Sequence, residues 1–222
     1  MLKPLICTYT NKVKSYCDKE FLENLHNLSK GYDVLIVVND NENQNYYEQL
    51  CDIIVENYYT NFSIHNLIIP REPIIDTFQR NVAISVNKCR DIFLEGDYDT
   101  MIIIESDVIP PVNLLDTLKE DIKLLKDHYN KWGIVGGLYY KGFHNYNLFG
   151  LQKTHHVLSG CTVYKRELIE KYPFRYDPNN LAAFPDAIIC FDSGNEYDLY
   201  NDHNIICRHL EIFPGCRQKG SL

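Results

Sequence analysis

Apolar and polar positions follow two rhythms along the first half of the chain. Residues 5–8 read as a short apolar strand, and 34–38 are an unbroken apolar run, the pattern of a strand covered on both faces. Between them Phe21, Leu25 and Leu28 recur at helical spacing, which predicts a helix over 18–30 with Gly31 as its stop. Tyr47, Leu50, Cys51 and Ile54 mark a second helix, and 64–69 reads as a third strand ended by Pro70. The clearest helix is 77–95, where Phe78, Val82, Val86, Cys89 and Phe93 form one stripe before Gly96 and Asp97 break it. Residues 100–104 form a strand that runs into Glu105-Ser106-Asp107. Pro110-Pro111 then stop the strand and open a helix whose inner side is Leu114, Leu118, Ile122 and Leu125.

This order argues for a mostly parallel sheet with helices on both faces. Beyond residue 132 the rhythm weakens. A strand is predicted at 133–140, a stretch without period at 141–158, a short strand at 162–164, a helix at 166–171 and a late strand at 205–207. There is no repeat and no linker, so the 222 residues read as one domain.

Composition narrows the function. With 45% hydrophobic and 23% charged residues the chain is globular, and its net charge of −8 argues against nucleic acid and anionic membranes as partners. No apolar stretch approaches the roughly 18 residues of a membrane span, and the short apolar start reads as a strand, not a signal peptide. The eight cysteines include no C-x-x-C pair, so zinc-ribbon and thioredoxin motifs are absent. Most have apolar neighbours, which fits core thiols and a reducing, cytoplasmic compartment.

In open parallel sheets ligands sit beyond the carboxyl ends of the strands. Thr8, Tyr9 and Thr10 follow the first strand, Asn39 and Asp40 the second, and Glu105, Ser106 and Asp107 the fourth. Carboxylates spaced i, i+2 on extended chain point to one side, about 7 Å apart at their Cα atoms. Such a pair calls for a cation or donor between its members, and its hard oxygens suit Mg2+ or Mn2+ holding a phosphate. Arg80 and Asn81, in the first turn of their helix, suit a phosphate as well as they suit an ordinary helix start. Asp40 suits a nucleoside as well as an Asx turn.

The segment from Arg80-Asn81-Val82-Ala83-Ile84 through Tyr98-Asp99-Thr100-Met101-Ile102-Ile103-Ile104-Glu105-Ser106-Asp107-Val108-Ile109-Pro110-Pro111 resembles the core of GT-A fold glycosyltransferases, family 2 types above all. Thr8-Tyr9-Thr10-Asn11 is similar to their base-contacting loop, and Ile36-Val37-Val38-Asn39-Asp40 to the end of their second strand. Glu105 stands where the family's D-x-D triplet has Asp. Pro185-Asp186-Ala187-Ile188-Ile189-Cys190 resembles the motif of the catalytic base, with Pro185 in place of its Glu. Ile205-Ile206-Cys207-Arg208-His209 resembles the late strand that ends in a metal-contacting His.

The resemblance implies an α/β, Rossmann-like GT-A fold, a three-layer αβα sandwich about a central mostly parallel mixed sheet. It implies transfer of a sugar from a UDP- or GDP-type nucleoside-diphosphate-sugar donor to a hydroxyl of a carbohydrate or other acceptor, with inversion. Thr8, Tyr9, Thr10, Asp40, Arg80, Asn81, Glu105 and Ser106 would hold the nucleotide. Asp107, with Glu105 or His209, would hold Mn2+ or Mg2+, and Asp186 would be the base. Residues 1–111 would form the nucleotide half and 112–222 the acceptor half.

Other readings accompany these. Asp192 is a second candidate base. His155 and His156, adjacent on extended chain, face opposite ways and read as structural residues, with acceptor contact the alternative. Tyr139, Tyr140 and Tyr146 are candidates to stack on a sugar, and Arg217 and Lys219 to fold over a diphosphate. Trp132 reads as packing, and 192–196 as a turn. A nucleotidyltransferase would carry a Gly-rich loop after its first strand, and 8–12 contains no Gly. A carbohydrate-binding relic without turnover is compatible with Glu105 and Pro185 at the two catalytic motifs.

Overall fold

Strand β1 (Pro4–Asn11) runs through the centre of the molecule, buried over its first five residues. It lies between β2 (Asp33–Asn39) and β4 (Thr100–Ile104), parallel to both, and β3 (Phe62–Leu67) extends β2 in the same sense. Beyond β4 the sheet turns mixed. Strand β8 (Cys161–Lys165) is antiparallel to β4 and to β6 (Trp132–Tyr139), while β9 (Asp198–His209) is parallel to β6. Two short strands, β5 (Val108–Ile109) and β7 (Leu151–Thr154), pair antiparallel with β9. The computed structural model describes residues 2–39, 45–58, 61–70, 78–128, 131–139, 149–158, 160–180 and 182–210.

Alternation along the central strands builds the layers. Ile6, Ile36 and Ile102 point to one face and pack with Phe21, Leu50 and Leu118. Those residues belong to α1 (Asp18–Leu28), α2 (Tyr46–Asn57) and α4 (Leu114–His128). Leu5, Cys7 and Ile103 point to the other face and pack with Val86, Leu168 and Ile189. These come from α3 (Phe78–Glu95), α5 (Arg166–Lys171) and α6 (Pro185–Ser193). Each such side chain contributes about 1.5–3 kcal/mol by leaving water, so two sandwiched cores of this size fix the register of β1 and β4. The result is the expected three-layer α/β sandwich. Among the described residues no helix is long and apolar enough to cross a membrane, and all the described cysteines are free thiols.

Several elements depart from the sequence expectation. The edge strand β3 lies two residues earlier than predicted, and Ile68, inside the predicted strand, is largely exposed. An edge strand has one neighbour, so apolar content alone does not locate it. Helix α4 starts after Asn113 and not at Pro110-Pro111. Asn113 accepts from Thr117 N and Pro111 from Leu114 N, a turn that precedes the helix proper.

The late strand is much longer than 205–207. Its largely polar first half, Asp-Leu-Tyr-Asn-Asp-His-Asn, pairs with β6 and β7 and buries only Leu199 and Tyr200 of its apolar side chains in the two cores. A bulge lets it continue: Gly137 faces Asp202 but Leu138 faces Ile206, so 203–205 are extra on the β9 side. Asp202 Oδ1 accepts from Asn204 N at 2.8 Å and closes that bulge.

Candidate active site at the carboxyl edge of the sheet

The parallel strands β1, β2 and β4 end on the same edge, and the loops leaving them meet there. A tight turn follows β4, with Val108 N donating to Glu105 O at 2.9 Å, and it holds Glu105, Ser106 and Asp107 in place. Strand β9 arrives from the far side of the chain, and its pairing with β5 sets His209 opposite Val108. Leu210 N donates to Asp107 O at 2.6 Å and locks the junction. One ligand atom each from Glu105, Asp107 and His209 lies within 4.8 Å of the others.

The cluster is not splayed into solvent. The Asp107 side chain is 3% exposed, and His209 Nε2 stands 3.7 Å from its Oδ2. Asp107 Oδ1 is buried and has no hydrogen-bond partner among the described residues. Tyr9 donates its hydroxyl to Glu105 Oε1 at 2.9 Å. Burial, and then the Glu105 carboxylate, push the Tyr9 phenol well above its ordinary value, so it remains a donor. Lys14 Nζ pairs with Asp107 Oδ2.

These groups lie along one cavity of ≈ 490 Å³. Its floor is the cluster with Tyr9, Thr10, Asn11 and Lys14. One wall is the α3 face Phe78, Asn81, Val82, Ser85 and Val86. His156, Leu158, Phe184 and Asp186 also line it, with the Phe184 ring edge-on to Phe78 at 6.1 Å. Stretches 1–111 and 112–222 thus both contribute, and His209 from the second stretch joins the cluster built by the first.

The expected residues divide clearly. Thr10, Tyr9, Asn81, Glu105, Ser106, Asp107, Asp186 and His209 line the cavity. Arg80 does not. It is buried and donates from Nη1 to Pro70 O at 3.2 Å. The cavity face of α3 runs at positions 78, 81, 82, 85 and 86, the i, i+3, i+4, i+7 and i+8 stripe, and position 80 is off that stripe. Thr8 is fully buried in β1 and is not among the lining residues. Asp40, Tyr140, Tyr146, Arg217 and Lys219 lie outside the described residues, as does the side chain of Tyr139.

Asp186 enters on a helix that the sequence reading left out. Pro185 opens α6, and Asp186 Oδ1 accepts from Ala187 N at 2.8 Å in the first turn. The predicted turn at 192–196 begins inside that helix, since Asp192 and Ser193 are its last residues. The rival base Asp192 is held instead by Arg175 through two bonds of 2.7 and 2.6 Å, and it does not line the cavity. Trp132 is core, as expected.

His156, read from sequence as structural or as an acceptor contact, stands with Nε2 3.8 Å from Asp186 Oδ2. That carboxylate raises the imidazole above its ordinary value against the opposing effect of burial. Asp186→Asn is expected to return His156 toward its ordinary value, followed through the ring-proton shifts of His156 against pH. An unmoved titration curve sinks the pairing.

No protein-family profile and no curated protein sequence matches the chain. Solved structures do match in fold. The mannosyltransferase PcManGT from Pyrobaculum calidifontis, in complex with GDP-Man and Mn2+, superposes with a TM-score of 0.65 at 14% identity, over 96% of this chain and 58% of that one. S. aureus TarS 1-349, in complex with UDP-GlcNAc, gives 0.60 at 12% identity, over 95% of this chain and 59% of that one. A197 from STIV gives 0.51 at 18% identity, over 95% and 86%. The chain therefore spans under two thirds of the length of PcManGT and of TarS 1-349. At these identities the likeness defines the fold, a GT-A-like α/β fold with a mixed central sheet.

Proposed function

We propose that the protein is a metal-dependent glycosyltransferase that takes a sugar from a nucleoside-diphosphate-sugar donor and passes it to a hydroxyl acceptor. The observation that carries this reading is the placement of Glu105, Asp107 and His209 within 4.8 Å of one another on the floor of the cavity that Asp186 also lines. The fold and the ligands held by PcManGT and TarS, GDP-Man with Mn2+ and UDP-GlcNAc, support the same class.

The donor set fits a divalent ion. Glu105, Asp107 and His209 would each offer one atom to it, and Asp107 Oδ2 and His209 Nε2 are 3.7 Å apart. Two carboxylates and an imidazole favour Mn2+ over Mg2+, which prefers oxygen throughout. When bound, the ion supplies positive charge against the leaving diphosphate.

The residues of the chain do the rest. Tyr9, Thr10 and Asn81 form the nucleotide side, with Asn39 at the end of β2 on the same cavity. Ser106 lies between the two carboxylates and shapes the floor. Asp186 accepts the proton of the acceptor hydroxyl as its oxygen bonds to the anomeric carbon. The bond from that carbon to the diphosphate breaks, the nucleoside diphosphate leaves with the electron pair, and the configuration inverts. His156, with Nε2 3.8 Å from Asp186 Oδ2, steadies the carboxylate. The wall of Phe78, Val82, Phe174 and Phe184 keeps water from the anomeric carbon.

The test is a screen of UDP- and GDP-sugars for donor hydrolysis and for transfer to simple sugars, with and without Mn2+. Manganese-dependent release of the nucleoside diphosphate from at least one donor is expected. Asp186→Asn is expected to lower transfer about 100-fold or more while leaving nucleoside-diphosphate binding in place. Binding of a nucleotide sugar without any turnover would instead make the protein a carbohydrate-binding relic of the fold.

A further inference from the structure

The short 3-10 helix Lys12–Cys17 that follows β1 carries a cation into the candidate metal cluster. Lys14 Nζ pairs with Asp107 through Oδ2, the same oxygen that faces His209 Nε2 at 3.7 Å. The other oxygen, Oδ1, is buried and has no hydrogen-bond partner among the described residues. An ion held by Asp107 and His209 would draw on the carboxylate that Lys14 already holds, so the two cations would compete for Asp107. Lys14 also lines the cavity, 26% exposed, on a side chain long enough to turn within it.

The helix itself is well anchored. Cys17 is buried, with its Sγ donating to Lys14 O at 2.9 Å, and the Tyr16 hydroxyl donates to Leu210 O at 3.0 Å, next to His209. Its base is fixed, so the change available at Lys14 lies in the side chain.

We propose that Lys14 is an exchangeable internal cation. It holds Asp107 while no ion is bound, leaves Oδ2 when a divalent ion arrives, and then pairs with the diphosphate of the donor. This rests on the metal site of the proposed function and adds an order of events to it. Charge supports the exchange. Among the described residues two carboxylates face one ammonium here, and that negative balance repels a diphosphate until the ion binds. Once it has bound, the ammonium, on the same cavity, would be within reach of the diphosphate. Ion and diphosphate then strengthen each other's binding through Lys14, and by linkage the gain is the same in either order.

The test measures free Mn2+ by electron paramagnetic resonance during titration of the full chain, alone and with saturating UDP or GDP. Lys14→Met is expected to bind Mn2+ alone about 5–10-fold more tightly than the unaltered protein, because no ammonium competes for Oδ2. It is also expected to lose most of the gain in Mn2+ affinity that the nucleoside diphosphate confers. Lys14→Arg, which keeps the charge, is expected to stay near the unaltered values. Equal or weaker Mn2+ binding by folded Lys14→Met, with the diphosphate gain intact, overturns the exchange while leaving the metal site standing. If neither protein binds Mn2+, the metal reading fails and the exchange with it. Should Lys14→Met not fold without metal, Lys14→Gln in the same titration decides between the same outcomes.

Discussion

Asp107→Asn is expected to abolish the stabilisation that Mn2+ with a nucleoside diphosphate confers, while leaving the metal-free protein almost as stable as before. The two halves of this result have different causes. In the metal-free protein the amide keeps the shape of the carboxylate, its oxygen still accepts from Lys14, and the backbone O of residue 107 still accepts from Leu210 N. Lys14 is partly exposed and regains water, so the loss should stay near 1 kcal/mol. The neutral amide is a far weaker ligand than Asp107 Oδ2 at the centre of the cluster. Ligand at about 100 times its dissociation constant adds roughly 2.7 kcal/mol, which for a chain of this size is about 5–11 °C in melting temperature. That increment should vanish in the variant, and manganese-dependent donor hydrolysis should fall about 1,000-fold. Thermal melts with and without Mn2+ and UDP or GDP read the first effect. A shift that survives in Asp107→Asn would remove Asp107 from the metal site.

Asp121→Asn is expected to stabilise the protein at alkaline pH and to flatten its pH dependence. Asp121 lies on the inner face of α4, 8% exposed, against the fully buried Asp202 of β9. Burial first, then Asp202 and the nearby Glu120, push Asp121 up to about 8. The folded protein therefore keeps a proton that the unfolded chain releases near pH 4. The contribution is fully present below that pH and is lost as pH rises through about 8. Asparagine is neutral throughout and, like the protonated acid, offers both a donor and an acceptor. At pH 5 the variant should melt within a few degrees of the unaltered protein, and at pH 8 it should gain about 2 kcal/mol. Parallel melting curves across that interval would show that the Asp121–Asp202 pair does not hold the proton. Asp202 of this pair closes the bulge of β9, the strand on which α4 packs.

The parts of this protein legible in the sequence are those in which burial writes a period. Apart from Phe78, which is exposed at the start of the helix, the stripe of α3 and the unbroken runs of β2 and β4 are the direct trace of two apolar layers on one sheet, so 77–95, 34–38 and 100–104 match Phe78–Glu95, Asp33–Asn39 and Thr100–Ile104 closely. The acidic triplet was legible for a related reason. It interrupts a buried strand at the end where parallel sheets gather their ligands, so its place follows from topology. The chain also determined the fold class, since alternating strands and helices pack in few ways. Helix α6, β7 and the polar half of β9 left no such trace. Leu-Gln-Lys-Thr and Asp-Leu-Tyr-Asn-Asp-His-Asn carry no run or stripe, and their pairing depends on partners far away in the chain.

Tertiary structure alone decided which charged groups meet. Lys14 and Asp107 are 93 residues apart, and His209 reaches the cluster only because β5 pairs with β9 after a bulge. His156 meets Asp186 at the cavity, while Arg80 turns out to serve Pro70 one helical position off the cavity face. A sequence records what each position requires of its own surroundings through burial. It does not record which distant side chain completes a charge, because that pairing is fixed by register and bulges that act only once the sheet has closed.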